Sequence, residues 1–147
     1  MILLDTNVLV YALNSASTRH SDCRQVVDRA VAGRLPAVLV PQVLIECYSV
    51  ITSPRRMPRP LSPDQARTTL RSLGRAIEVR AVPATLLDDL DLTLSRHPQR
   101  GRDIFDLVLV AQMQSHGIRT ICTCNTADFT LPGVQPVDPT QALAAFA

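Results

Sequence analysis

Four carboxylates in this chain sit where carboxylates are costly. Asp106 lies inside Ile104-Phe105-Asp106-Leu107-Val108-Leu109-Val110-Ala111, and Asp103 precedes it by one helical turn. Asp5 ends the opening run Met1-Ile2-Leu3-Leu4, and Glu46, one of two glutamates, lies within Val43-Leu44-Ile45-Glu46-Cys47. An ionised carboxylate among apolar side chains needs a pairing partner, hydrogen bonds or a metal. Like charges at i,i+3 share a helix side and raise each other's pKa unless a cation lies between them. Acids from distant segments, each in an apolar setting, are what a divalent-cation site assembled by folding requires.

Each acid also has a plainer explanation. Asp5 is placed to cap a helix beginning at Thr6 and Asn7, and Asp103 to cap the apolar helix after Gly101-Arg102. Glu46 could pair with a buried Arg. Asp128, in Cys124-Asn125-Thr126-Ala127-Asp128-Phe129, could be a turn former, leaving Asn125 as the helper at that position. Asp106 has no comparable alternative.

The elements that position these residues alternate between strand and helix. Residues 2–5, 37–40, 78–82, 118–124 and 134–137 read as short strands. Helical patterns cover 7–13, 19–33, 41–52, 62–76, 83–96, 103–116 and 139–146, with 125–133 as a loop. Pro41 suits a first helical turn, Ser62-Pro63-Asp64 an N-cap with its first turn, and Gly117 a C-terminal cap. This order predicts an α/β fold with a central parallel sheet of about four or five strands sandwiched by helices. Ligands then gather beyond the carboxyl ends of the strands.

At 147 residues and 46% hydrophobic content, the chain reads as one domain, 1–147. No apolar stretch reaches the roughly 20 residues of a membrane span, and the start shows no signal-peptide pattern; a cytoplasmic protein is expected, with no membrane partner. Cys23, Cys47, Cys122 and Cys124 form no C-x-x-C pair and are expected as buried free thiols. All 15 basic side chains are Arg. A formal net charge of +2 does not mark a generic nucleic-acid coat, yet Arg55-Arg56-Met57-Pro58-Arg59 and the loop bearing Arg96, Arg100 and Arg102 are clustered. The second cluster leads into the Asp103/Asp106 helix, so Arg96, Arg100 and Arg102 form either a solvated loop or a phosphate-contacting rim beside the acidic site.

The ordered set Leu4-Asp5-Thr6-Asn7-Val8-Leu9, Glu46, Phe105-Asp106 with Ala111, Gly117-Ile118-Arg119-Thr120-Ile121, Asn125-Thr126-Ala127-Asp128-Phe129 and Pro132-Gly133-Val134 resembles the PIN-domain ribonucleases, specifically VapC-like toxins of toxin–antitoxin pairs. The resemblance implies a PIN-like nuclease domain and an Mg²⁺- or Mn²⁺-dependent endoribonuclease. Asp5, Glu46 and Asp106 match the acidic positions and are the metal-ligand candidates. Asp103 and Asp128 are further catalytic candidates, and Thr6, Asn7 and Asn125 supporting ones. Many relatives carry Asp where this chain has Asn125, which leaves the fourth acidic role open among Asn125, Asp103 and Asp128. The implied partners are an RNA substrate, a cognate VapB-like antitoxin and a second copy in a homodimer. Two other classes compete. Phosphoryl transfer to an aspartate in receiver or haloacid-dehalogenase-like proteins normally needs a lysine, which this chain lacks. A catalytically silent PIN-fold module binding RNA or protein is the alternative.

Overall fold

The computed structural model describes residues 1–146, except the side chain of Arg102; Ala147 lies outside the described residues. Five parallel strands form one sheet: β1 (Ile2–Leu4), β2 (Ala37–Leu39), β3 (Glu78–Val79), β4 (Thr120–Cys122) and β5 (Gln135–Val137), in the order β3-β2-β1-β4-β5. The central strand pairs Leu3 with Val38 on one side and Leu4 with Cys122 on the other. Ile2, Leu3 and Leu4 point alternately to opposite faces of the sheet, yet all are buried, so both faces of β1 are covered.

The helices are α1 (Thr6–Leu13), α2 (His20–Val31), α3 (Pro41–Ile51), α4 (Pro63–Ala76), α5 (Leu86–Arg96), α6 (Ile104–Ser115) and α7 (Pro139–Ala145). Helices α1 to α4 pack on one another with α7 against α2, while α5 packs on α6. Local chemistry sets the ends. Ser62 and Gln65 form a reciprocal capping box at α4. Gly117, at φ +66°, lets the chain turn so that its N–H and that of Ile118 bond to the carbonyls of Gln114 and Met113.

The expected architecture holds, with local corrections: the fourth strand, expected over 118–124, spans only Thr120–Cys122. The third strand pairs over only Glu78–Val79 instead of 78–82: it is an exposed edge, and the chain leaves the sheet towards Pro83, which has no N–H for a ladder. Helix α5 starts at Leu86 instead of 83, after a turn in which Thr85 Oγ1 donates to Asp89 Oδ2 at 2.8 Å. Helix α6 starts at Ile104, preceded by a 3₁₀ turn over Gly101–Asp103. Among the described residues no helix is long and apolar enough to cross a membrane.

Candidate active site

Central strand β1 has its sequence neighbour β2 on one side and β4 on the other, so the chain's direction of winding reverses between β1 and β4. Loops leaving those two strands diverge there and open a crevice. A cleft of about 790 Å³ fills it, lined by Asp5, Glu46, Asp103, Asp106, Asn125 and Asp128 together with Thr6, Asn7 and Arg56. All five candidate acids and all three supporting residues therefore meet in one place.

Asp5 leaves the end of β1, is 8% exposed and occupies the N-cap position of α1 without a side-chain capping bond. Its Oδ2 instead accepts from Asn7 Nδ2 at 2.6 Å and from Thr123 Oγ1 at 2.7 Å. Thr123 follows β4, where the parallel register places it beside Asp5, and is fully buried. Asn7 closes the cluster: its Nδ2 also donates to Thr123 Oγ1 at 3.0 Å, and its Oδ1 accepts from the Cys124 N–H at 3.0 Å. Burial pushes the Asp5 carboxyl above its ordinary pKa, against the lowering effect of the Thr123 bond.

Glu46 projects from α3 half-buried, with its Oε2 accepting from Thr6 Oγ1 at 3.2 Å and its Oε1 from Gln42 Nε2 at 2.8 Å. Gln42 is itself held from α6. It donates to the Phe105 carbonyl at 2.8 Å and accepts from the buried Gln112 Nε2 at 2.9 Å. Asp106 is half-buried in the first turn of α6, its pKa raised to about 6 by burial and by the charges of Asp5, Asp128, Glu46 and Asp103. Asp103 sits at the N-cap position of α6, exposed and without a side-chain capping bond. Asp128 ends a 3₁₀ turn over Thr126–Asp128, and Asn125 precedes that turn; both are exposed.

Of the three arginines proposed for phosphate contacts, neither Arg96 nor Arg100 lines the acidic cleft. Arg96 lines a separate cleft of about 550 Å³ on the α5 and α6 side, with Asp89, His97 and Gln114, and not the acidic one. Arg100 is exposed and does not line the acidic cleft, and the Arg102 side chain lies outside the described residues. Arg96 is the last residue of α5 and follows that helix onto its packing surface with α6. Arg56, from the other basic cluster, reaches the rim of the acidic cleft.

Thr123, Gln42 and Gln112 were not singled out from the sequence. Gln112 carried the same signal as Asp106, a polar side chain inside the apolar run Val110-Ala111-Gln112-Met113, and Thr123 is the residue after a strand at the switch point.

The charge balance is one-sided. Among the described residues none of the five acids is ion-paired; the ion pairs are Arg19–Asp138, Arg24–Asp28, Arg67–Asp64 and Arg80–Glu78. Nor, among the described residues, do three acids converge tightly enough to cage an ion. This donor set fits a hard divalent cation of the Mg²⁺ kind, which takes oxygen ligands, is held by one or two carboxylates and keeps several waters.

A parallel α/β fold with an acidic cleft at the switch point defines a class, and residues 2–130 match the PIN domain family: the chain belongs to it. It is similar to Ribonuclease VapC48 of Mycobacterium tuberculosis, 29% identical over 144 residues, covering 92% of this chain and 94% of that protein. The crystal structure of Mycobacterium tuberculosis VapC20, described as a sarcin-ricin loop cleaving toxin, shares the fold with a TM-score of 0.64 at 20% identity, over 92% of this chain and all of that one. A toxin–antitoxin complex from Klebsiella pneumoniae contains the same fold, with a TM-score of 0.62 at 18% identity, over 95% of this chain and 98% of that one.

Proposed function

We propose that the chain, as a single nuclease domain over 1–147, is a divalent-metal-dependent endoribonuclease and the toxin of a toxin–antitoxin pair. The observation that carries this is the gathering of five carboxylates in one cleft with no ion-paired partner among the described residues. Membership of the PIN family and likeness to a protein named a ribonuclease support the choice of RNA as substrate.

Asp5 and Asp106 would be the leading ligands of Mg²⁺ or Mn²⁺, with Glu46 beside them as a further ligand or as the base. When bound, such an ion offsets phosphate charge and lowers the pKa of a coordinated water. Thr123 and Asn7 fix the Asp5 carboxylate by donating to its Oδ2. Glu46, held on both oxygens by Thr6 and Gln42, orients the attacking water and accepts its proton. Water adds to phosphorus in line with the departing sugar oxygen, and the P–O bond breaks. Asp103 and Asp128 supply further negative charge at the exposed rim, and Asn125 orients water there without adding charge. Arg56 at the rim contacts the RNA backbone.

The partner is an antitoxin covering the acidic cleft. A homodimer through α3 and α4 would bury Ile45 and Tyr48, both exposed on α3; light scattering at micromolar concentration showing a monomer removes that claim. The test of the function is cleavage of a structured RNA by purified protein with Mg²⁺, with Mn²⁺ and with EDTA, beside Asp5→Ala. Cleavage in metal alone, lost in the variant, is expected. RNA binding without cleavage in any metal selects the silent binding module instead.

A further inference from the structure

The nuclease reading leaves one reactive pair of side chains unused. Cys23, fully buried on α2, and Cys124, half-buried just after β4, bring their Sγ atoms to 3.5 Å although 101 residues separate them in sequence. Beside Cys124 lies the Arg19 guanidinium, which is ion-paired with Asp138. The backbone N–H of Cys124 donates to Asn7 Oδ1, and Asn7 in turn donates to Asp5. The next residue is cleft-lining Asn125, whose N–H donates to Thr123 Oγ1 at 3.0 Å. A change at the Cys124 sulfur therefore reaches the acidic cleft through two hydrogen bonds.

We propose that Cys23 and Cys124 form an oxidation-sensitive thiol pair, closed to a disulfide by a hydroperoxide, that displaces the Cys124 backbone from Asn7 and switches off the acidic cleft. This role for the cleft rests on the nuclease reading, whereas the thiol chemistry does not. The Cys124 thiolate attacks the terminal peroxide oxygen, the O–O bond breaks, and hydroxide (or alkoxide, from an alkyl hydroperoxide) leaves and is protonated, giving a sulfenic acid. Cys23 then attacks that sulfur as its own proton departs; the S–S bond forms, the S–O bond breaks, and water is released. Two thiols are oxidised as one hydroperoxide is reduced, with water and water or an alcohol as products.

The pair is asymmetric in the sense this sequence needs. Cys124 is half-buried beside the Arg19 guanidinium, which favours its thiolate, whereas Cys23 is fully buried, which disfavours its own. Cys47 and Cys122 are buried with thiols pushed up to about 12 by desolvation, and serve as internal controls. Bond formation must bring the sulfurs from 3.5 Å to about 2.05 Å. Cys23 is fixed in the core on a helix, so the Cys124 loop makes most of the move. A displacement of about 1 Å in a positioning element can lower a rate roughly 100-fold.

The test treats the full chain with hydrogen peroxide and reads intact mass, thiol count and a non-reducing peptide map. A mass lower by two hydrogens, two thiols retained, and a peptide joining Cys23 to Cys124 are expected, with RNA cleavage down about 100-fold and restored by dithiothreitol. In Cys23→Ser the reaction should stop at a Cys124 sulfenic acid trapped by dimedone, and in Cys124→Ser no thiol should be lost. Four thiols persisting where peroxide already oxidises methionine, a bridge to Cys47 or Cys122, or full cleavage by the bridged protein would each overturn the proposal. If the reduced protein cleaves no RNA, the nuclease reading fails by itself. The switch is then scored by amide exchange at Cys124, which must quicken on oxidation because its acceptor on Asn7 is lost.

Discussion

Replacing Asp106 with Asn removes one charge from a cluster that repels itself, while keeping the side chain's shape. Burial and the four neighbouring acids raise the Asp106 pKa from 3.8 to about 6, so the folded state without metal binds its proton more tightly than the unfolded chain. For a carboxyl shifted upward, the penalty is absent below about pH 4, where both states are protonated. It develops as pH rises from about 4 to 6 and is complete above that. A shift of this size corresponds to about 3 kcal/mol at full strength. Asp106 is only half-buried, and solvent screening reduces the figure to about 1–2 kcal/mol. In EDTA at pH 7, Asp106→Asn should therefore melt roughly 2–8 °C above the unmodified protein, with the difference vanishing near pH 4. Millimolar Mg²⁺ should raise the melting temperature of the unmodified protein by mass action and move the variant little. Calorimetry or fluorescence melting across this pH range, with and without metal, is the assay. A variant destabilised by several kcal/mol in EDTA at pH 7 refutes the reasoning, because that is the signature of a carboxylate paired with a buried cation.

Thr123→Val should leave Asp5 Oδ2 without its buried hydroxyl donor, cost about 1–3 kcal/mol by denaturant unfolding, and lower cleavage more than RNA binding. Gln112→Leu should change stability by less than about 1 kcal/mol, since it removes a buried and unpartnered Oε1 along with the bond to Gln42. Its cleavage should nevertheless fall, as Gln42 loosens its hold on Glu46, and Gln112→Glu at low pH should restore part of it. Arg56→Ala should weaken RNA binding across sequences and flatten the salt dependence by about one counterion, while Arg96→Ala should not.

Much of this protein was legible in the one-dimensional pattern. Asp106 and Glu46 were visible because a charge inside an apolar run contradicts burial unless something compensates, and alternating strand and helix periods implied the parallel sheet. Caps at Ser62 and Gly117 were legible for the same reason, since local chemistry alone decides them. Three things required the tertiary structure. The strand order β3-β2-β1-β4-β5 decided that Asp5 and Thr123 are neighbours, 118 residues apart in sequence. The packing of α5 on α6 decided that Arg96 serves another cleft, and the path of the loop after α3 that Arg56 reaches this one, because a segment's direction depends on what it packs against. The approach of Cys23 to Cys124 depends on how α2 lies over the end of β4. Residue type and period are properties of a segment and can be read from it, whereas a contact between segments exists only once the chain's path brings them together.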